Sequence, residues 1–170
     1  TTLLKSVKSQ MVSDVPLGIF LSGGIDSSLI ASLAQDCTNE PIKTFTIGFD
    51  NSSFDESPFA QRVAEHLKTT HSKINVTEDD ALNLIPKLAL IYDEPFSDSS
   101  QIPTYFVCKS AKNHVSVALS GDGADELFGG YNRYISSKAI WKKVSWIPRF
   151  VRVGIGWCIL HIPTTFIDRI

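Results

Sequence analysis

The chain reads as an α/β protein, with a doubly wound, mostly parallel sheet carrying helices on both faces. Three observations predict this. Short runs rich in β-formers alternate with helical runs. Two of the strand runs, residues 17–21 and 115–119, are almost wholly apolar, as strands covered on both faces are. Each of those two runs leads directly into a glycine-rich acidic loop. In open parallel sheets, ligands sit at such loops, outside the carboxyl ends of the strands.

The elements follow in order. Leu3, Leu4, Val7, Met11 and Val12 fall at helical spacing, so an amphipathic helix is expected over residues 2–12. Ser13-Asp14 ends it and Pro16 opens the first strand, 17–21. A glycine turn and a helix to about Cys37 come next. Residues 43–49 hold Thr44, Phe45, Thr46 and Ile47 and form the second strand. Asp50-Asn51-Ser52-Ser53 is a turn. Asp55-Glu56-Ser57-Pro58 starts a helix whose apolar face is Phe59, Val63, Ala64 and Leu67. The third strand spans 72–76. Thr77 then caps a helix, with Glu78, Asp79 and Asp80 in its first turn. Residues 92–100 are a polar loop, Pro103 to about Lys112 is a helix, and 115–119 is the fourth strand. A helical run from 127 to 134 is interrupted by Gly129-Gly130.

The length of 170 residues suits one domain, and 43% apolar residues suffice for a core. A net charge of -2 suggests no nucleic-acid surface. Cys37, Cys108 and Cys158 form no CxxC pair, so neither a disulfide framework nor a zinc pattern is expected, and a reducing cytoplasmic location is the simplest reading. The first residues carry no signal-peptide pattern. The chain does not begin with Met, and it is expected to be part of something longer. The apolar stretch 153–163 is shorter than the roughly 20 residues of a membrane span. The four histidines have no metal-ligand spacing, and Lys109, Lys112 and Lys138 read as solvated helix charges.

The first loop, Ser22-Gly23-Gly24-Ile25-Asp26-Ser27-Ser28, carries the chemistry. Two glycines permit positive φ and a close backbone approach to a ligand. The first amides of the following helix lack partners within it, and its dipole favours negative charge. Ser22, Ser27 and Ser28 add hydroxyl donors. Together these form an anion site suited to phosphate. Asp26 would repel phosphate unless it holds Mg²⁺, a hard cation that bridges carboxylates to phosphates.

This loop has neither the Walker GK[ST] ending nor a G-x-G-x-x-G pattern. It resembles the pyrophosphate loop SGGxDS of the ATP-pyrophosphatase families. The second loop, Ser120-Gly121-Asp122-Gly123-Ala124-Asp125-Glu126-Leu127-Phe128-Gly129-Gly130-Tyr131, is similar to the second signature of the glutamine-hydrolysing asparagine synthetase family. So are Ser13-Asp14-Val15-Pro16-Leu17-Gly18, Thr44-Phe45-Thr46-Ile47-Gly48-Phe49, Asp55-Glu56-Ser57 and Asp93-Glu94-Pro95-Phe96-Ser97-Asp98-Ser99-Ser100. The resemblance covers about residues 3–134.

It implies an adenine nucleotide α-hydrolase-like fold, with an ATP-pyrophosphatase core over 1–134. Residues 135–170 are then an apolar helical segment of a truncated synthetase domain. It implies an ATP pocket from Leu21, Ser22, Gly23, Gly24, Asp26, Ser27 and Ser28, with Ile47 lining the adenine and Ser120 and Gly121 touching the nucleotide. Asp26 and Asp125 would hold Mg²⁺. The implied reaction converts aspartate to asparagine through β-aspartyl-AMP, releasing AMP and pyrophosphate. The family's proton acceptor is Glu in SGEG. Here it is Asp122, one methylene shorter, a difference of about 1.5 Å in reach.

Ammonia would come from a glutaminase domain, in cis or on a separate chain, since none of the three cysteines is N-terminal. The expected partners are therefore ATP, a carboxylic acid and that domain, with no nucleic acid and no membrane. A homo-oligomer is compatible with the sequence. Glu126, Asp93 and Glu94 are second-tier candidates, and Asp55 and Glu56 read first as helix-start acids. Two other functions stay open: a ligase of the same framework acting on another acid, and a non-catalytic nucleotide-binding module. Trp141, Trp146, Trp157 and Phe150 either form an exposed apolar surface or pack back on the core.

Overall fold

A computed structural model describes residues 1–50, 55–94 and 98–161. The expected turn at 51–53, the Pro95-Phe96-Ser97 part of the polar loop and the tail from 162 lie outside the described residues. The chain divides into two units, Thr1–Asp122 and Gly123–Ile170.

The first unit contains α1 (Thr2–Gln10), β1 (Leu17–Phe20), α2 (Ile25–Gln35), β2 (Lys43–Phe49), α3 (Ser57–Leu67), β3 (Thr70–Val76), α4 (Glu78–Ile91), α5 (Gln101–Ala111) and β4 (Val117–Leu119). Its strands form one sheet in the order β3-β2-β1-β4, and every pairing is parallel. The α/β class with a parallel sheet is therefore present as the sequence predicts. The chain steps from β1 to β2 to β3 in one direction, then returns to place β4 on the far side of β1. Right-handed crossovers put the helices of these two directions on opposite faces. The packing follows. Ile19, Ala31, Ala34, Ala60 and Ala64 form one cluster with Val7, beneath α1, α2 and α3. Phe45, Ala111 and Val115 form the other, joined by Phe20 and Val107 of α5. Ile19 and Phe20 are successive residues of β1 and point to opposite faces, so one strand feeds both clusters.

Helix ends differ from the sequence reading for local reasons. α1 stops at Gln10, where Met11 donates its N–H to Val7 O at 3.0 Å. α5 begins at Gln101, ahead of Pro103, because the first turn of a helix tolerates proline. β4 begins at Val117 because the Val115 N–H goes to Ala111 O at 2.8 Å and the Ser116 N–H to Pro16 O at 3.0 Å. α3 starts at Ser57, so Asp55 and Glu56 precede it and its first turn holds no acid. Thr77 does cap α4: its Oγ1 accepts the Asp80 N–H at 3.1 Å, and Asp80 Oδ2 accepts the Thr77 N–H at 3.0 Å.

The second unit contains α6 (Ala124–Phe128), α7 (Asn132–Val144) and α8 (Arg149–Leu160). The run expected over 127–134 is two helices, because Gly129 takes φ +71° and closes α6. Trp141, Trp146, Phe150 and Trp157 are between 60% and 80% exposed. Among the described residues, no helix is long and apolar enough to cross a membrane.

His71, unassigned by sequence, sits on β3 opposite Thr44. Its Nδ1 lies 2.8 Å from Thr44 Oγ1, which is itself 2.8 Å from Thr69 Oγ1. Its Nε2 is buried with no partner among the described residues, so a proton placed there finds none of them to donate to. Burial holds the imidazole below its ordinary value near 6.5. The folded ring stays neutral where the unfolded one is protonated, so the unfolded state binds more protons below that value. Stability then falls as pH drops through about 6.5. Urea midpoints between pH 7.5 and 5.5 are expected to decline more steeply for the wild type than for His71→Asn. Parallel slopes would remove His71 from this pH dependence.

Candidate functional site

β1 and β4 are parallel neighbours, and the order in which the chain adds strands reverses at this pair. This is the switch point of the sheet, where ligands bind in such folds. The loops after both strands therefore leave from the same rim. Gly121 lies against the start of α2: a Cβ on it would come within 2.8 Å of Ser27 N and 3.1 Å of the Asp26 carbonyl carbon. Only a residue without a side chain allows the 120–122 segment this close to the first loop.

The first loop is held from three sides. Leu21, 1% exposed, donates its N–H to Phe45 O at 2.9 Å, which anchors the end of β1 to β2. Ser27 is buried, and its Oγ accepts the Ser22 N–H at 3.2 Å and lies 2.9 Å from Ser22 Oγ. Ser22 Oγ also accepts the Gly24 N–H at 3.2 Å, and Gly24 is the N-cap of α2. Gly23 adopts φ +83°, and a Cβ there would come within 2.5 Å of Ala60 N and 2.6 Å of the Phe59 carbonyl carbon. The loop thus rests on the backbone of α3. The two serine hydroxyls close a small ring above the first turn of α2, whose amides lack intrahelical acceptors.

The remaining expected residues fall as follows. Asp26 lies in that first turn, half-buried, and among the described residues no hydrogen bond or ion pair engages its carboxylate. Ser28 Oγ is buried without a partner among the described residues, and Ser28 lines a cleft between α2 and α3 with Ser32, Arg62 and His66. Ile47 is half-buried on β2. Asp122 is exposed. Its Oδ2 accepts the Ser120 hydroxyl at 3.0 Å, and its N–H donates to Ser120 Oγ at 3.3 Å. Asp125 and Glu126 belong to α6, in the second unit. Tyr131 donates its hydroxyl to Glu126 Oε1 at 2.5 Å. This bond pulls the Glu126 carboxyl below its ordinary value and pushes the Tyr131 phenol above its own. The Arg133 guanidinium lies 4.1 Å from the Tyr131 ring centre.

Among the described residues, no three His, Cys, Asp or Glu side chains gather as a metal cage. Mg²⁺ binds through one or two carboxylates plus phosphate oxygens and waters, so a three-residue cage is not what it requires. An unengaged carboxylate at a helix N-terminus is the donor such a site needs.

Comparison with known proteins follows the same lines. The family model for asparagine synthase matches residues 1–165. The chain is 48% identical, over 129 residues, to asparagine synthetase [glutamine-hydrolyzing] 1 of Bacillus subtilis (strain 168); the match covers 76% of the chain and 20% of that protein. It is 34% identical, over 144 residues, to asparagine synthetase B [glutamine-hydrolyzing] of Escherichia coli (strain K12), covering 74% of the chain and 25% of that protein. The chain therefore spans about a fifth to a quarter of the length of these curated relatives. In fold it is similar to NMN synthetase from Francisella tularensis, with TM-score 0.54 and 20% identity over 76% of the chain and 56% of that one. It is also similar to an NH3-dependent NAD synthetase from Campylobacter jejuni, with TM-score 0.51 and 17% identity over 77% and 58%. The sheet and its flanking helices share the adenine nucleotide α-hydrolase-like fold of these structures.

Proposed function

The chain belongs to the asparagine synthase family, and from that premise we propose that it holds ATP on the loop of residues 22–28 and activates a carboxylic acid for amide formation. The observation that supports this most is the approach of Gly121 to the Ser27 amide, which brings both glycine loops to the switch point of the sheet. In this reading the amides of the first turn of α2 and the hydroxyls of Ser22 and Ser27 take the pyrophosphate. Leu21, Gly23, Gly24, Ser28, Ile47, Ser120 and Gly121 complete the nucleotide pocket. Asp26 would hold Mg²⁺, and the family likeness implies Asp125 for the same role. The ion, when bound, supplies positive charge against the phosphates. Asp122 takes a proton from the attacking amine, and its bond to Ser120 orients it for that.

The finer steps rest on the likeness to the curated relatives. The acid is aspartate, the adenylated intermediate is β-aspartyl-AMP, and ammonia comes from a glutaminase domain. Calorimetric titration with ATP tests the site. Binding in Mg²⁺ is expected to weaken about tenfold or more in Asp26→Asn, and the two proteins are expected to converge when EDTA removes the metal. Equal affinities in Mg²⁺ would take Asp26 out of the site. Pyrophosphate release, screened across carboxylic acids with ammonia supplied, tests the substrate. Turnover with another acid but none with aspartate would reject the asparagine reading.

A further inference from the structure

Asp55 reads in sequence as a helix-start acid, but its contacts reach further. Its Oδ1 accepts the Ser57 N–H at 3.1 Å, and Ser57, the first residue of α3, is 1% exposed. Its Oδ2 lies 3.8 Å from Lys73 Nζ on β3, and its own side chain is 16% exposed. Hydrogen bonding from Ser57 holds this carboxyl below its ordinary value. From Ser57 the first turn of α3 continues, with the amides of Phe59 and Ala60 bonded to Glu56 O at 3.0 and 3.2 Å. The backbone of those same two residues faces Gly23.

We propose that Asp55 is a positioning residue for the phosphate loop. By fixing the first turn of α3 through the Ser57 N–H, it holds the Phe59 and Ala60 backbone against Gly23 and so sets where the loop stands. The carboxylate touches no ligand itself. Its effect passes through the helix start, and Gly23 receives it because no Cβ separates the loop from α3. The consequence for nucleotide affinity rests on the reading of residues 22–28 as the ATP site. The effect on the loop does not.

The test is amide hydrogen exchange in the ligand-free chain, read at the hydrogen-bonded amides of Ser22, Gly24 and Ser28, with calorimetric ATP–Mg²⁺ binding in parallel. In Asp55→Ala, exchange at these three amides is expected to speed up about tenfold and ATP to bind about tenfold more weakly, the scale of a lost helix-start bond. Asp55→Asn keeps an acceptor for Ser57 and stays within about twofold of the wild type in both. Should the alanine protein not fold, Asp55→Ser, whose hydroxyl makes the weaker version of this turn, gives an intermediate value. Thr77→Ala is the control, since it removes a side-chain bond at the start of α4 and leaves the three loop amides unchanged. Unchanged loop exchange in both Asp55→Ala and Asp55→Ser, or equal acceleration in Thr77→Ala, would overturn the assignment. If the wild-type chain fails to bind ATP, the reading of the site falls, and the exchange comparison still decides the role of Asp55.

Discussion

Gly23→Ala is expected to destabilise the protein by about 2–4 kcal/mol and to abolish nucleotide binding. Two effects add. A non-glycine residue at φ +83° is strained. The new methyl would also sit 2.5 Å from Ala60 N and 2.6 Å from the Phe59 carbonyl carbon, both backbone atoms. A flexible side chain could swing away; a helix start cannot, so either the loop lifts or α3 moves. Both outcomes disturb the ring of bonds among Ser22, Gly24 and Ser27. Urea unfolding gives the stability change, and ATP titration of the folded fraction gives the binding. A variant as stable as the wild type would mean that α3 does not bear on the loop.

Phe45→Ala carries the second large effect, an expected loss of about 3–5 kcal/mol. Phe45 is 2% exposed and is the centre of the cluster beneath α5, with the His114 ring stacked 5.9 Å away. The ring also explains a glycine in the middle of β1. A Cβ on Gly18 would come within 2.6 Å of Phe45 Cε2. Gly18→Ala alone should therefore cost about 1–3 kcal/mol by overpacking. In the Phe45→Ala background the same methyl enters the vacated space, and the penalty should vanish or reverse. A double-mutant cycle measured by urea denaturation reads this coupling. Simple additivity would show that the two residues do not share the space.

The parts of the fold legible in the sequence are those written in local pattern. The apolar runs before the two loops announced parallel strands, of which β1 is buried while β4 stays partly exposed, and Thr77 followed by three acids announced a capped helix start. What stayed illegible is what depends on distant residues. Strand alternation requires crossovers, yet nothing local states that β4 joins β1 rather than the β3 edge. Asp55 carries the composition of any helix start; that its carboxylate reaches Lys73, a residue of β3, is written nowhere in the local sequence. His71 looked like any isolated histidine because its partner, Thr44, is remote in sequence. Two glycines near residue 130 did signal a break, but only the positive φ of Gly129 makes it a helix end. In the candidate site, the loop residues were recognisable by type. The support behind Gly23 was not, since Phe59 and Ala60 have no polar signature at all.

The position of β4 beside β1 has a consequence in time as well as in space. Leu17 pairs with Val117, so the rim of the proposed site is closed by segments about a hundred residues apart. Bringing such ends together costs about 4 kcal/mol of chain entropy, against about 3 for the nearer β1–β2 pairing. The local β1-α2-β2-α3-β3 half can assemble first, with one edge of β1 unpaired and the phosphate loop lacking its opposite wall. On a ribosome, that interval lasts until the strand at 117–119 and its following loop have emerged. During it, the exposed edge of β1 is open to mispairing with another chain.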